Sequence, residues 1–347
     1  MKKRKVLICP LNWGLGHASR CVPIAEDLSN KGHQIVLASS GDAYVYLSKE
    51  LPQFRLERLP DYNIKYWRNL PIWMSVLFQF PKLLLKFKKE RRHLNSLVEK
   101  YQIDLIISDN RLGIYHKDIE SIYISHQIQI KSPFGSFKNP ATLLHQYFMK
   151  SFDKIWIPDV ENDKNNLAGK LSHPPTKIAN STYIGWLSRL TPTNTITEEQ
   201  TVLVLLSGIE PHRTELEKMV FDQITKLSNF QFVVVGGKLN KGTQATPFPS
   251  HIRYIPFANS TILQFEISRA KLIICRSGYS TLMDVIPFKK RLLLIPSPGQ
   301  TEQEYLAKNL NAFTIKQRDL CLSKQIPEAL KYNPIQLNTT EPQLFNR

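Results

Sequence analysis

The chain reads as an α/β protein built from two doubly wound halves with parallel sheets, and three observations predict this. Short apolar runs alternate with amphipathic stretches along the whole sequence, which is the pattern of βα units. The pattern restarts midway, after a polar stretch rich in Thr and Pro (LSRLTPTNTITEEQ, 187–200). At 347 residues the chain also exceeds one ordinary core. The expected organisation is a domain over 1–186, a linker over 187–200 and a second domain over 201–347. Two such domains form a cleft at the carboxyl ends of their sheets, where ligands bind.

In chain order, the first half offers strands at KVLIC, QIVLAS, FRLERL, IDLIIS, SIYIS, KIWIP and TYIG. The second half opens with TVLVLLSG and an amphipathic helix pattern, EPHRTELEKMVFDQITKL. It continues with FQFVVVGG, IRYIP, AKLIICRSG and RLLLIP. From about Pro327 the sequence is polar and gives no clear element.

Composition narrows the classes. A hydrophobic fraction of 42% with 22% charged residues describes a soluble globular protein. Lys and Arg total 46 against 29 Asp and Glu, a net charge of +17 that favours an anionic partner: nucleic acid, acidic headgroups or a phosphorylated substrate. No nucleic-acid-binding motif accompanies the charge. Cys9, Cys21, Cys275 and Cys321 lie far apart without metal-ligand spacing, as expected of a reduced compartment and no structural zinc. The apolar run in MKKRKVLICPL is too short for a signal peptide, and no run reaches the ~18 residues of a membrane span. A cytoplasmic location is expected.

Glycine turns behind strands carry the chemistry. In PLNWGLGHASR, Gly14 and Gly16 supply a GxG, but Ser19 takes the third glycine position and QIVLASS lacks a terminal acid, which argues against a nicotinamide enzyme. VVVGGKL lacks the upstream glycine and the hydroxyl residue of a Walker loop. CRSGYSTLMDV places Ser277, Gly278, Ser280 and Thr281 at a helix start beside Arg276, a receptor for a diphosphate. Asp284 follows where a carboxylate can accept from a ribose diol; an N-cap serine with an exposed acid is the plainer alternative. SPGQTEQE brings Gln300, Glu302 and Gln303 to the same sheet edge, suited to sugar hydroxyls or simply to a polar helix cap.

Taken in order, GLGHASR, IGWLSR, LLSG, CRSGYSTLMD and PGQTEQEYLA resemble the GT-B glycosyltransferases, nearest the MurG-type, family 28 enzymes that use UDP-N-acetylglucosamine. The resemblance spans about residues 5 to 310. It implies two Rossmann-like domains with an interdomain cleft, the second binding the nucleotide sugar and the first the acceptor. It sets the diphosphate against Ser207, Gly208, Arg276, Ser277 and Gly278, with Arg189 reaching the phosphates. Asp284 takes the position of a ribose-binding glutamate, one methylene shorter. Phe257 and Ala258 in IPFANS correspond to the uracil loop, and Gln303 and Gln300 to donor-sugar contacts. Gly14 and Gly16 form the loop of the acceptor side. Its spelling, NWGLGH, differs from that of MurG, so the peptidoglycan precursor is not the expected acceptor.

Sugar transfer requires a neutralised leaving phosphate and a deprotonated acceptor hydroxyl. Fixed N–H dipoles and arginine can meet the first need without a metal, and the chain has no Asp-X-Asp signature. No cofactor is expected beyond the UDP-sugar co-substrate. For the second need His17 is the natural base, although it can equally hold backbone or phosphate. Asp109, Asn110 and Arg111 in LIISDNRLG, and His126 with Gln127 in IYISHQIQI, also stand at strand ends. They can contact the acceptor, supply the base instead, or form a loop hydrogen-bond network.

One segment stands apart. In 62–92, Trp73, Val76, Leu77, Phe80, Leu84 and Phe87 follow helical spacing interrupted at Pro81, and Lys82, Lys86, Lys88, Lys89, Arg91 and Arg92 border them. This fits either a helix resting on anionic lipid or a core helix with a basic edge. The expectation is an inverting, metal-independent glycosyltransferase moving N-acetylglucosamine from its UDP donor to a cell-envelope glycolipid or saccharide, at the inner face of the cytoplasmic membrane. A UDP-sugar 2-epimerase of the same fold and a non-catalytic nucleotide-sugar-binding protein are the alternatives.

Overall fold

The computed structural model describes residues 3–63, 78–131, 140–162, 164–193, 197–239, 248–337 and 344. The chain divides into two compact units, the first holding Met1–Arg189 with the C-terminal end, the second Leu190–Asn338.

The first unit contains, in order, β1 (Lys5–Pro10), α1 (Gly16–Asn30), β2 (Gln34–Ser39), α2 (Gly41–Glu50), β3 (Arg55–Arg58), α3 (Phe80–Tyr101) and β4 (Leu105–Asp109). It continues with β5 (Ser121–Ile124), α4 (Pro140–Met149), β6 (Lys154–Ile157) and β7 (Ser181–Tyr183). The second contains β8 (Thr201–Leu205), α5 (His212–Ile224), β9 (Gln231–Val235), β10 (Ile252–Ile255), α6 (Ser260–Arg269) and β11 (Leu272–Cys275). After these come α7 (Tyr279–Val285), β12 (Arg291–Leu294), α8 (Thr301–Asn309), β13 (Phe313–Thr314) and α9 (Leu322–Ala329).

Both sheets are wholly parallel. Their strand orders are β3-β2-β1-β4-β5-β6-β7 and β10-β9-β8-β11-β12-β13, each the doubly wound order in which the chain reverses direction between its first and fourth strands. Helices on both faces explain why VLIC, TVLVL and LIIC are apolar throughout rather than alternating. In the second unit α5 and α9 supply Leu216, Val220, Ile224, Leu322 and Ile326 to a core over Val202, Val204 and Ile274. Each such side chain contributes roughly 1.5–3 kcal/mol of burial.

The reversal point dictates where ligands can sit. In the first unit Pro10 at the end of β1 pairs in register with Asp109 at the end of β4, so the GLGH loop and Asp109 share one crevice. In the second unit Leu205 of β8 pairs with Cys275 of β11, which brings Ser207-Gly208 beside Arg276-Ser277-Gly278.

Two expectations change. The boundary between units falls at Arg189–Leu190, inside the stretch read as linker, where Leu187 and Leu190 are buried. The second domain does not run to residue 347: Leu344 is buried with the first unit, and its carbonyl accepts from Lys31 Nζ at 3.1 Å. The interruption expected at Pro81 is present: Phe78 is helical, Gln79 forms a turn, and α3 starts afresh at Phe80 with Pro81 in its first turn, where a missing N–H costs nothing and the fixed φ suits helix initiation. Trp73, Val76 and Leu77 fall outside the described residues.

Candidate functional site

In the first unit the loop after β1 is held open by Asn12. Its Oδ1 accepts from the Ala43 N–H at 3.2 Å, and its Nδ2 donates to Asp61 Oδ2 at 2.8 Å. A Cβ at Gly41 would lie 2.1 Å from that Nδ2, so only glycine allows the approach. Gly14, at φ +71°, completes the turn, and α1 begins at Gly16.

Three spacing apart on α1, His17 and Arg20 share a face and meet the carboxylate at the end of β4. His17 Nδ1 lies 2.7 Å from Asp109 Oδ1. Arg20 grips the same carboxylate with both edges of its fork, Nε to Oδ2 and Nη2 to Oδ1, and its Nη1 lies 2.9 Å from His126 Nδ1. Asp109 and Arg20 are buried, while the His17 side chain keeps 13% exposure. Burial works to raise the Asp109 pKa, but Arg20 and His17 outweigh it and hold the carboxyl below its ordinary range. His17 is held below the ordinary imidazole value, chiefly by burial, with Asp109 opposing and Arg20 assisting. The result is a neutral, partly accessible imidazole oriented by an ionised carboxylate, which is the arrangement of a general base. Of the three groups expected to compete for that role, Asp109 and His126 belong to one network with His17. Arg20 is the member the sequence reading missed, although its spacing from His17 signalled it.

Asn110 and Arg111 turn away from such a role. Asn110 occupies the left-handed region at φ 58°, and its Oδ1 accepts from Tyr123 Oη at 2.7 Å. Arg111, expected at the acceptor edge, is fully buried. It donates to Glu90 Oε1 at 2.5 Å and to the Pro60 carbonyl at 2.6 Å, and Tyr62 donates to Glu90 Oε2 at 2.6 Å. The reason is electrostatic: Glu90 faces inward from α3 and needs a paired cation. A Cβ at Gly113 would come within 2.5 Å of Glu90 Oε2, which shows how closely α3 approaches. Arg189 ends the first unit, donating to Tyr46 Oη with its guanidinium 5.2 Å from the Tyr46 ring centroid.

In the second unit the loops after β8, β11 and β12 gather. Gly208 has φ +107°, a backbone reserved for glycine, and a Cβ there would sit 3.6 Å from Ser297 Oγ. Ser297 is 1% exposed, yet its hydroxyl has no hydrogen-bond partner. A buried orphan hydroxyl beside a glycine-only backbone is the mark of a place built for something else. Ser277 and Gln303 shape this wall from behind: Ser277 Oγ donates to the Gln303 carbonyl at 2.8 Å, and Gln303 Oε1 accepts from the Ser297 N–H at 2.8 Å. The amide oxygen of Gln303 is thus committed to the loop rather than to a sugar. Gly278 directly precedes α7, Asp284 is buried on that helix, and Gln300 directly precedes α8. Ala258 is buried and Phe257 half-buried in the turn after β10.

Arg276 departs from expectation. Rather than facing a diphosphate, its side chain is fully buried and donates to the carbonyls of Ile295 at 3.0 Å and His212 at 2.9 Å and to Gln317 Oε1 at 2.7 Å. Burial pulls its pKa down to about 10, so it stays charged at neutral pH. Its work is to tie the β11 and β12 loops to the start of α5.

The exposed surface of the first unit has its own character. Phe148 of α4 packs between Phe80 and Phe87 of α3, with ring centroids 6.4 and 5.9 Å away. Around this contact Leu85, Leu143 and Tyr147 are 69, 69 and 68% exposed. Lys82, Lys88 and Lys89 are exposed beside them, and the one acid between Phe78 and Val98, Glu90, is buried. Among the described residues no helix is long and apolar enough to cross a membrane.

Comparison with known proteins gives a consistent result. A family model described as Glycosyl transferase family 1 matches residues 5–326. An uncharacterized glycosyltransferase of Methanosarcina acetivorans is 23% identical over 321 residues, covering 86% of this chain and 81% of the relative. Among solved structures, the spinosyn rhamnosyltransferase SpnG complexed with thymidine diphosphate superposes with a TM-score of 0.64 at 14% identity, over 94% of this chain and 91% of that one. MurG of Acinetobacter baumannii superposes with a TM-score of 0.55 at 14% identity, over 95% and 89%. The two parallel-sheet units therefore have the GT-B architecture.

Proposed function

The chain belongs to glycosyl transferase family 1 and is a glycosyltransferase using a nucleotide-sugar donor, and from that premise we propose the details of its reaction. It transfers a sugar with inversion and without a metal, from UDP-N-acetylglucosamine to a cell-envelope glycolipid or saccharide. One observation carries the reading: a carboxylate-oriented neutral imidazole, His17 on Asp109 at 2.7 Å, at the reversal point of the first sheet.

The acceptor hydroxyl gives its proton to His17 as its oxygen attacks the anomeric carbon. The bond from that carbon to the phosphate oxygen breaks, and UDP leaves with the electron pair. Asp109 steadies the imidazolium that forms. The donor is assigned to the second unit, with the diphosphate at Ser207, Gly208, Ser277 and Gly278 and the Ser297 hydroxyl donating to it. Asp284, Phe257, Ala258 and Gln300 complete the donor assignment. Arg276 supports these loops from behind, and Arg111 does the same for the acceptor side. A lipid-linked acceptor is supported by the apolar and cationic surface of α3 and α4, which suits an anionic bilayer.

A thermal-shift series with UDP-, TDP- and GDP-sugars tests the donor. A ligand of the folded state raises Tm by mass action, and UDP-N-acetylglucosamine is expected to give the largest rise. A rise confined to TDP-sugars overturns the donor assignment. His17→Ala is expected to keep the donor-induced shift and lose about 10²–10⁴ in turnover; unchanged turnover overturns the base.

A further inference from the structure

Arg20 makes demands on its neighbours that decide where protons sit. Its guanidinium does not deprotonate in proteins, so each of its N–H groups is a donor, and any ring nitrogen bonded to it must offer a lone pair. His126 Nδ1 lies 2.9 Å from Arg20 Nη1. That nitrogen therefore accepts, which excludes the imidazolium form of His126 and leaves its single ring proton on Nε2. His17 Nδ1 faces two groups of opposite demand: Asp109 Oδ1 at 2.7 Å, which can only accept, and Arg20 Nη2 at 3.0 Å, which can only donate. The hydrogen bond to the ionised carboxylate is the shorter and, being charge-assisted on a geometry already clamped by Arg20, the stronger. His17 therefore holds its proton on Nδ1 and leaves Nε2 bare.

We infer that Arg20 is a positioning residue that sets the two histidines in opposite tautomers, making His17 Nε2 a proton acceptor and His126 Nε2–H a hydrogen-bond donor. The function assigned to His17 above is where this rests, and it goes beyond it by removing His126 from the possible bases. It also gives Arg20 a second effect. Among the described residues, the charged and titratable groups acting on His17 are Arg20 on α1, Asp109 from β4 and His126 from the loop after β5, with Cys21 on the far side of Asp109. Asp109 favours the imidazolium, Arg20 opposes it, and the guanidinium spends much of the carboxylate's charge on itself. Removing the Arg20 charge therefore raises the pKa of His17 and carries the acid limb of kcat/KM to higher pH.

The test begins on the wild-type protein carrying ¹⁵N-labelled histidine, with long-range proton–nitrogen correlation spectra at neutral pH. Ring signals are assigned through His17→Gln and His126→Gln. The expected result is protonated Nδ1 on His17 and protonated Nε2 on His126; either histidine in the other tautomer overturns the inference. This readout needs neither donor nor acceptor, so it holds or fails independently of the sugar-transfer reading. In folded Arg20→Gln, the His126 ring is expected to become a tautomer mixture and the acid limb to move to higher pH. Arg20→Lys, which restores the charge but not the fork, is expected to return the limb toward wild type while the His126 mixture persists. An Arg20→Gln protein with unmoved tautomers and an unmoved limb overturns the inference. If that variant does not fold, the wild-type spectra alone decide.

Discussion

Ser297 shows how a single side chain separates stability from function. A buried hydroxyl without a partner has already lost its water and gained nothing in return, so deleting it removes no bond from the folded state. Ser297→Ala is therefore expected to unfold in urea within about 0.5 kcal/mol of wild type. With the diphosphate at the proposed site, the same change removes a donor to it and is expected to weaken nucleotide-sugar binding up to about tenfold, seen as a smaller Tm rise at fixed ligand. Loss of stability together with unchanged donor binding would return Ser297 to an ordinary packing role. Arg20 and Arg111 make the complementary point. Both are buried arginines, yet one touches His17, His126 and Asp109 and the other Glu90, Ser40, Tyr62 and backbone carbonyls. Their residue type does not distinguish them; their partners do.

At the scale of elements, α3 is fixed to the sheet through Glu90, Arg111 and Tyr62. Breaking a buried pair from one side leaves a charge without compensation, so Arg111→Met is expected to cost about 3–5 kcal/mol, read as a lower urea midpoint. A midpoint within experimental error of wild type would show that Glu90 relaxes to solvent. The strands were legible because a parallel sheet covered on both faces needs unbroken apolar runs, and VLIC, TVLVL and LIIC stand out against their flanks. The two residues of β13 were too short to register, and α9, with Pro327 inside it, was hidden by its own proline. The interruption at Pro81 was legible because a proline is tolerated in the first turn of a helix and not within it. The GLGH and SG turns marked the reversal points correctly as places. The inward turn of Arg276 and Arg111 was not legible, since Gln317 and Glu90 lie 41 and 21 residues away from them along the chain.

Across the whole molecule, a charge of +17 meets a patch on α3 and α4 where Leu84, Leu85, Leu143 and Tyr147 are exposed alongside Lys82, Lys88 and Lys89. Co-sedimentation with vesicles is expected to require acidic lipid. Neutralising Lys86, Lys88 and Lys89 together is expected to weaken it by about 1 kcal/mol per lysine at low salt. Equal binding to neutral vesicles, or none to acidic ones, would separate this surface from the membrane. The return of Leu344 to the first unit reaches further than its single buried side chain. It makes the second unit an insertion, entered at Leu190 and left at Asn338, rather than a tail. Hybrid enzymes that borrow the second unit from a relative therefore need two splice points, and an excised first unit should be supplied with the final stretch of chain to keep its own interior closed.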